Sequence, residues 1–177
     1  MDAAEQHTLF SRWLAEHAAL LHHVANGFAE GADRHDLMQE LMVALWRALP
    51  AFRGAAQPST FIYRVAYNMA LTWKRGQSNY RRRADNFEAE MPVLPEASAV
   101  NEAQRSTRDR EALALMYAEI RTLAPIERSL LLMHLDEVSY AGMAEVIGMT
   151  ETAIGARLTR IKQRLISTLK EKTHELR

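Results

Sequence analysis

Apolar side chains recur every three or four positions along most of this chain, and this spacing restricts the possible folds more than any other feature. No run of four to eight residues alternates apolar and polar side chains as a half-buried strand would. Ala, Leu, Met, Glu and Arg are abundant, and these residues favour helices. The sequence therefore predicts an all-α fold.

The helical pattern is interrupted near the middle of the chain. Residues 84–108 contain Pro92 and Pro95, are acidic and show little periodicity, which is typical of a flexible linker. We therefore expect two small helical domains, over residues 1–83 and 109–177, joined by this acidic linker.

Within these domains, the apolar spacing and the helix-breaking residues give approximate helix boundaries. The predicted helices cover about 3–26, 33–49, 60–75, 109–123, 125–135, 140–147 and 150–174. Asn26-Gly27 and Pro50 are expected to end the first two helices, and Ser59 or Thr60 to cap the third.

The last two predicted helices are joined by a short turn. Ser139 and Thr150 are suitable N-caps for them, and Gly148 breaks the chain in between. A short helix, a glycine turn and a longer helix predict a helix-turn-helix in the second domain.

Charges are segregated along the chain, although its net charge is zero. No acidic residue lies between Glu40 and Asp85, an interval that holds eight Lys and Arg residues. The interval from Arg157 to Arg164 holds four cations and no acid. Two basic surfaces favour contact with nucleic acid, although solvated helix faces would give the same pattern.

The basic side chains of the last helix share one flank. At 100° per residue, Arg157, Arg160 and Arg164 lie beside the apolar stripe that contains Ile154 and Leu158. A major-groove recognition helix needs this arrangement, since arginine binds guanine edges and phosphates. A helical hairpin with a basic outer face is the competing interpretation.

Other classes of protein are disfavoured. The chain has no cysteine, which excludes disulfides and thiolate chemistry. No apolar run reaches the roughly 20 residues that a membrane-spanning helix needs, and the N-terminus lacks the pattern of a signal peptide. We therefore expect a soluble cytoplasmic protein that does not insert into membranes. Nothing in the sequence arranges Ser, His and Asp as a nucleophile elbow or triad, and there is no Gly-rich phosphate loop, so we expect a protein that is not an enzyme and binds no cofactor. The histidines near the first helix are not expected to bind metal: His7, His17, His22 and His23.

Two stretches carry a family pattern, one in each domain. The first begins at Asp36-Leu-Met-Gln-Glu40, continues through Phe52-Arg-Gly54, and ends in Thr60-Phe-Ile-Tyr-Arg-Val-Ala-Tyr-Asn-Met-Ala70. The second comprises Leu123-Ala-Pro-Ile-Glu-Arg128, Ser139-Tyr140, Ala144-Glu-Val-Ile-Gly148 and Glu151 to Leu165. These stretches resemble regions 2 and 4 of the extracytoplasmic-function (ECF) sigma factors of bacterial RNA polymerase.

The resemblance implies a promoter-specificity subunit whose partners are core RNA polymerase, promoter DNA and an anti-sigma protein. Region 2 would dock on the polymerase through four residues: Asp36, Gln39, Glu40 and Trp46. It would also bind the −10 element and hold a flipped base through Arg53, Gln57, Thr60, Arg64, Tyr67, Asn68, Lys74 and Arg75. Region 4 would bind the −35 element through Thr150, Thr152, Ala153, Ala156, Arg157, Arg160 and Arg164.

Promoter opening also needs planar groups on which exposed bases can stack. Phe61, Tyr63 and Tyr67 lie beside the cations of the third helix, and periodicity leaves open which of these rings face the core. Trp73 lies on the apolar stripe and is expected in the core. The sequence departs from the family pattern at Pro58, Tyr67, Gly142, Ala153 and Gly155, so its promoter preference is expected to be its own.

Two other functions fit parts of the pattern. A stand-alone helix-turn-helix regulator would bind DNA as a dimer, but it leaves the first domain without a purpose. An all-helical protein-interaction adaptor would leave both basic faces solvated. The slope of affinity against salt concentration separates a phosphate-binding surface from an adaptor.

Overall fold

The computed structural model describes the backbone of residues 2–84 and 107–175 and the side chains of residues 2–77 and 109–168. These residues form helices and no strand, so the all-α prediction is confirmed for them. The helices are α1 (Ala3–Phe28), α2 (Gly31–Ala48), α3 (Pro58–Ala84), α4 (Thr107–Thr122), α5 (Pro125–Leu135), α6 (Tyr140–Ile147) and α7 (Glu151–Glu175), with a 3-10 turn at Leu49–Ala51.

Helix α3 is longer at both ends than its sequence pattern indicates. It begins at Pro58, two residues before the predicted start, because proline suits the first helical position. The N–H of Phe61 donates to the carbonyl of Gln57 at 3.0 Å, which closes the first turn. The helix then continues through Gly76 to Ala84, since one glycine weakens a helix without ending it.

Helix α1 begins in a capping box and passes through its predicted stop. The side chain of Asp2 accepts from the N–H of Glu5 at 2.7 Å, and Glu5 accepts from the N–H of Asp2 at 2.9 Å. Gly27 does not end the helix, which runs on to Phe28. A Cβ built at Gly27 would lie 2.7 Å from Cδ1 of Leu132, so this glycine allows α5 to approach α1 closely.

The helix-turn-helix has the predicted caps. The hydroxyl of Ser139 accepts from the N–H of Gly142 at 3.1 Å, and that of Thr150 accepts from the N–H of Ala153 at 3.3 Å. Gly148 ends α6 in the left-handed region, at φ 74°. The prediction of a helix-turn-helix over α6 and α7 is therefore confirmed.

The predicted linker at residues 84–108 lies for the most part outside the described residues. Within the described part, α3 still includes Ala84 and α4 already begins at Thr107. The division into two independent domains therefore stays a prediction.

Helix α1 is the element that the two halves of the chain share. It packs on α2 and α3 through one side and on α4 and α5 through another, and α3 also packs on α5 and α6. The resulting core is continuous, from Trp13, Leu37 and Leu41 in the first half to Leu132 and Ile154 in the second.

Two arginines, of which Arg128 is buried, hold α1 against the second half. The guanidinium of Arg128 lies 4.8 Å from the centroid of the Phe28 ring and donates to the carbonyls of Arg121 and Leu123, at 2.5 and 3.0 Å. Burial, with Arg121 nearby, lowers the pKa of Arg128 to about 10, so it remains charged at neutral pH. The guanidinium of Arg121 donates a hydrogen bond to the carbonyl of Asn26 at 3.1 Å.

No helix in residues 2–84 or 107–175 combines the length and apolar character that crossing a bilayer demands.

The core of the first half should depend on the buried stripe of α2. Leu41 is fully buried, whereas Val43, two residues along, is 42% exposed. We expect Leu41→Ala to lower the free energy of unfolding by about 2–5 kcal/mol because it leaves a cavity. Val43→Ala, the matched control, should change it by less than about 0.5 kcal/mol. Urea denaturation followed by circular dichroism measures both, and equal effects would contradict this packing.

Candidate nucleic-acid interface

Three aromatic rings anchor the segment that leads into α3. The Trp13 ring of α1 meets Phe52 edge-on with 4.8 Å between centroids, and Phe52 meets Phe61 in the same way at 5.1 Å. Arg53 and Gln57 stay exposed above this cluster. Two of the residues predicted to hold a flipped nucleobase are therefore exposed next to a well-packed aromatic cluster.

The outward side of α3 is cationic. Asn68, Lys74 and Arg75 are exposed, and the Arg64 side chain is 42% exposed. The Arg64 guanidinium lies 5.5 Å from the centroid of the Phe61 ring and 3.2 Å from a carboxylate oxygen of Glu145. Helix α3 therefore presents a strip of cations, as the acid-free interval indicates, and its use in binding DNA stays a prediction.

The aromatic residues of α3 divide between core and surface. Phe61 and Tyr63 are buried, with 5% and 1% of their surface exposed, so neither ring offers a face to a base. Tyr67 is half-buried with its ring 6.5 Å from that of Phe28, and burial raises the pKa of its hydroxyl against the opposing effect of Arg75. Trp73 packs against the core, as expected.

Thr60, a predicted −10 contact, is covered in this structure. Only 5% of its surface is exposed, because α6 lies across the start of α3. A Cβ built on Gly142 of α6 would lie 3.0 Å from Oγ1 of Thr60. The other predicted residues of this group are exposed or half-buried, and Thr60 is buried.

The apolar stripe of α7 faces inward as predicted. Ile154, Leu158 and Ile161 have at most 2% of their surface exposed. The remaining predicted −35 residues are on the open side or its edge. Thr150, Thr152, Ala156, Arg160 and Arg164 are exposed, and Ala153 and Arg157 are half-exposed.

Two of the arginines on α7 have partners on the protein itself. Arg160 donates through Nε to the carbonyl of Ala156 at 3.3 Å, and Arg164 pairs with Glu127 of α5 at 2.9 Å. Both contacts are exposed, so solvent weakens them. At Gly155, a Cβ would lie 3.4 Å from the Tyr140 ring, which is ordinary contact, and nothing in the structure requires glycine there.

The predicted polymerase-docking residues occupy two faces of α2. Asp36, Gln39 and Glu40 are exposed together at helical spacing. Trp46 is half-buried on the side that faces α1, with its ring 5.2 Å from that of Phe10. Gln6 donates to the carbonyl of Trp46 at 2.8 Å. The structure thus groups three of the four residues, and the ring of Trp46 lies apart from them.

A carboxylate that the sequence analysis did not single out joins the two halves. Asp136, just after α5, accepts a hydrogen bond from the Tyr63 hydroxyl, and its Oδ1 lies 2.5 Å from Nδ1 of His23. Burial, and then the charge of Asp136, raises the pKa of Tyr63 far above its ordinary value, so its hydroxyl remains a donor. Because Asp136 is 73 residues from Tyr63 and 113 from His23, no local pattern reveals this contact.

The histidines of α1 do not gather into a metal site. In the part of the chain that the structure describes, no three His, Asp or Glu side chains are placed to hold an ion. His23 instead contacts Asp136, and burial lowers the pKa of its neighbour His22.

Family models match both halves of the chain. The model of sigma-70 region 2 matches residues 13–80, and the model of sigma-70 region 4 matches residues 113–165. Together they cover α2, α5 and α6 in full and most of α1, α3, α4 and α7. The basic faces of α3 and α7 fall in separate regions.

Two relatives show the same similarity to ECF sigma factors in sequence. The chain is 26% identical to ECF RNA polymerase sigma factor SigG of Mycobacterium tuberculosis, over 75% of this chain and 41% of SigG. It is 23% identical to the ECF RNA polymerase sigma-E factor of Escherichia coli K12, over 77% of this chain and 73% of that protein. The alignment thus spans less than half of SigG.

Two solved structures have the same fold. The sigma factor RpoE, solved with the anti-sigma factor NepR from Bartonella quintana, superposes with a TM-score of 0.70 at 21% identity, over 91% of this chain and 96% of RpoE. CnrH, solved with the cytosolic domain of CnrY, gives a TM-score of 0.60 at 20% identity, over 92% and 88% of the two chains.

The exposed and half-exposed arginines of α7 should contribute to the salt dependence of DNA binding. We expect Arg157→Ala with Arg160→Ala to reduce the slope of log affinity against log salt by about 2, because each lost phosphate contact removes about 0.9. Fluorescence anisotropy on a labelled duplex at several salt concentrations measures this slope. Arg12→Ala, an exposed cation on α1, is the control and should leave the slope unchanged. A double variant with an unaltered slope would remove α7 from the interface.

Proposed function

The chain belongs to the sigma-70 family, with the region 2 and region 4 arrangement of ECF sigma factors, and on this premise we propose that it directs core RNA polymerase to specific promoters and assists promoter opening. Its role is non-catalytic. The observation that carries the proposal is the presence of both regions in one chain, each with an exposed cationic helix.

The first half suits the −10 element and the opened strand. Arg53 and Gln57 are exposed in the segment anchored by the aromatic cluster of Trp13, Phe52 and Phe61. Cations along α3 would neutralise the phosphates of the strand, with Arg64, Asn68, Lys74 and Arg75 in contact with it. Since Phe61 and Tyr63 are buried, Tyr67 is the predicted aromatic residue that remains for stacking on a base, which stabilises a complex by about 1–3 kcal/mol.

The second half suits the −35 element. Helix α7 would enter the major groove, with Thr150, Thr152 and Ala153 near its N-terminus. Arg157 and Arg160 would bind guanine edges or phosphate. Arg164 lies a turn further and pairs with Glu127, so it would bind phosphate after giving up an exposed ion pair.

Core polymerase would dock on the exposed face of α2. Asp36, Gln39 and Glu40 form its polar surface. Trp46 would act indirectly, because its ring packs on Phe10 and holds α2 against α1.

We also propose regulation by an anti-sigma protein. This rests on the two similar folds, which were solved with an anti-sigma factor and with the cytosolic domain of CnrY. The two alternatives have less support, since neither a stand-alone regulator nor an adaptor accounts for a region 2 match over residues 13–80.

Transcription with purified components tests the main proposal. We expect core polymerase to start transcripts at new promoters, from genomic upstream fragments, only when this protein is added. Arg157→Ala should weaken promoter binding by about 1–3 kcal/mol and so reduce initiation. The size of this loss should depend on the −35 sequence. Arg64→Ala should weaken strand opening, measured by permanganate reactivity of exposed thymines, and leave −35 preference unchanged. Absence of any protein-dependent start site would refute the proposal.

The docking face gives a separate prediction. We expect Glu40→Ala and Asp36→Ala together to lower affinity for core polymerase at least tenfold, because partly desolvated charges at an interface each contribute substantially. Glu16→Ala, on an exposed part of α1, is the matched control. Biolayer interferometry with immobilised core polymerase measures both. Equal affinities would place the docking surface elsewhere.

A further inference from the structure

The last turn of α2 cannot satisfy all of its carbonyls from its own main chain. In a continuous helix the carbonyl of Trp46 would accept from the N–H of residue 50, but residue 50 is a proline, which has no N–H. Leu49 donates instead to the carbonyl of Leu45, and the chain then turns through the 3-10 segment Leu49–Ala51. Because an unpaired buried carbonyl is costly, Trp46 requires a donor from another element.

A side chain of α1 supplies this donor. Nε2 of Gln6 lies 2.8 Å from the carbonyl oxygen of Trp46, in a partly buried contact that joins positions 40 residues apart. A carbonyl can only accept, so the amide nitrogen of Gln6 has to face it. Gln6 therefore caps the C-terminal end of α2 from a neighbouring helix.

The residues around Gln6 hold the side chain of Trp46 as well as its main chain. The ring of Phe10 meets that of Trp46 edge-on at 5.2 Å between centroids, and the ring of His7 does so at 6.5 Å. All three residues of α1 precede residue 13, where the match to sigma-70 region 2 begins. The start of α1 thus fixes the end of α2 from outside the matched region.

The end of α2 leads directly into the segment that is predicted to hold a flipped nucleobase. Leu49 is fully buried, and Phe52 belongs to the aromatic cluster. Arg53 follows Phe52, and Gln57 comes four residues later. The direction in which the chain leaves α2 therefore determines where these two side chains lie.

The predicted polymerase-docking face lies farther back on the same helix. Glu40 is six residues before Trp46, or about 9 Å along the helix axis at 1.5 Å per residue. Asp36 and Gln39 lie farther away still. Loss of the cap should therefore loosen the last turn of α2 and leave the docking face in place, because helices open from their ends.

We propose that Gln6 is a positioning residue for base capture at the −10 element. Its amide holds the carbonyl that Pro50 leaves without a main-chain donor, and it thereby fixes the segment that carries Arg53 and Gln57. The proposal rests on the proposed function, because these two residues are predicted to bind promoter DNA there.

Two substitutions of opposite donor capacity test the role of the amide. Gln6→Glu keeps the shape, but an ionised carboxylate has no hydrogen to donate and would lie at the negative end of α2. Gln6→Lys keeps a donor and brings a charge that this end favours. Thr8→Glu is the matched control, because Thr8 is exposed on the same turn of α1 and bonds the carbonyl of Ala4 within its own helix.

Open complexes with core polymerase give the main readout, on a promoter found by the transcription experiment. We expect Gln6→Glu to lower the permanganate reactivity of the −10 thymines by about fivefold or more, because displaced side chains no longer hold the flipped base. Its affinity for core polymerase, measured by biolayer interferometry, should change by less than about twofold, since only the helix end opens. Gln6→Lys and Thr8→Glu should keep both values within about twofold of the unmodified chain.

Three results would overturn the proposal. Gln6→Glu could open the promoter as well as the unmodified chain does, which would remove Gln6 from base capture. It could lose docking and opening in equal proportion, which would indicate general destabilisation instead of positioning. Gln6→Lys could lose opening as severely as Gln6→Glu, which would show that the donor is not what matters.

Hydrogen exchange tests the cap without polymerase or DNA. We expect peptides covering residues 46–53 to exchange about fivefold or more faster in Gln6→Glu than in the unmodified chain. These peptides include the N–H of Phe52, which donates to the carbonyl of Leu49 at 3.0 Å. Unchanged exchange would overturn the cap. If the unmodified chain starts no transcript, the proposed function fails and the role in base capture with it, whereas the exchange rates decide the cap by themselves.

Discussion

The packing of α1 between the two halves of the chain is the constraint on which the rest of the structure depends. Its apolar residues Leu21, Val24 and Phe28 are buried, and the helix contacts α2 and α3 as well as α4 and α5. Because both halves pack on this one helix, its contacts set where the helix-turn-helix lies relative to α3 in this structure. The predicted DNA-binding surfaces therefore cannot be described independently of each other.

Local chemistry made most helix boundaries predictable. Pro125 and Ser139 begin α5 and α6 as expected, and Gly148 ends α6. The prediction that Gly27 ends α1 is wrong, because the missing side chain makes room for Leu132 rather than for a turn. Likewise, Gly76 and its polar neighbours do not end α3. A glycine inside a helix costs only about 1 kcal/mol relative to alanine, and neighbouring turns can compensate.

The candidate site was predictable to the extent that it follows helical periodicity. The stripe of Ile154 and Leu158 predicts Arg157 and Arg160 on a flank beside it, and in the structure Arg160 is exposed and Arg157 half-exposed. Periodicity could not decide the environment of Tyr63, which lies outside the apolar arc of α3 and yet is buried by α5 and its C-terminal turn. The contacts of Asp136, Glu145 and Arg128 join distant parts of the chain, so they required the three-dimensional structure.

The strengths of the contacts between the two halves indicate how their packing can respond to partners. The ion pairs Arg64–Glu145 and Arg121–Glu30 are partly exposed, and such pairs contribute about 0–1 kcal/mol each. The contacts of Asp136 and Arg128 are less exposed, so salt screens them less. A nanomolar complex releases about 12 kcal/mol, so polymerase and promoter together can offset the loss of a contact of this kind. A partner that binds both halves at once would instead stabilise the contact between them.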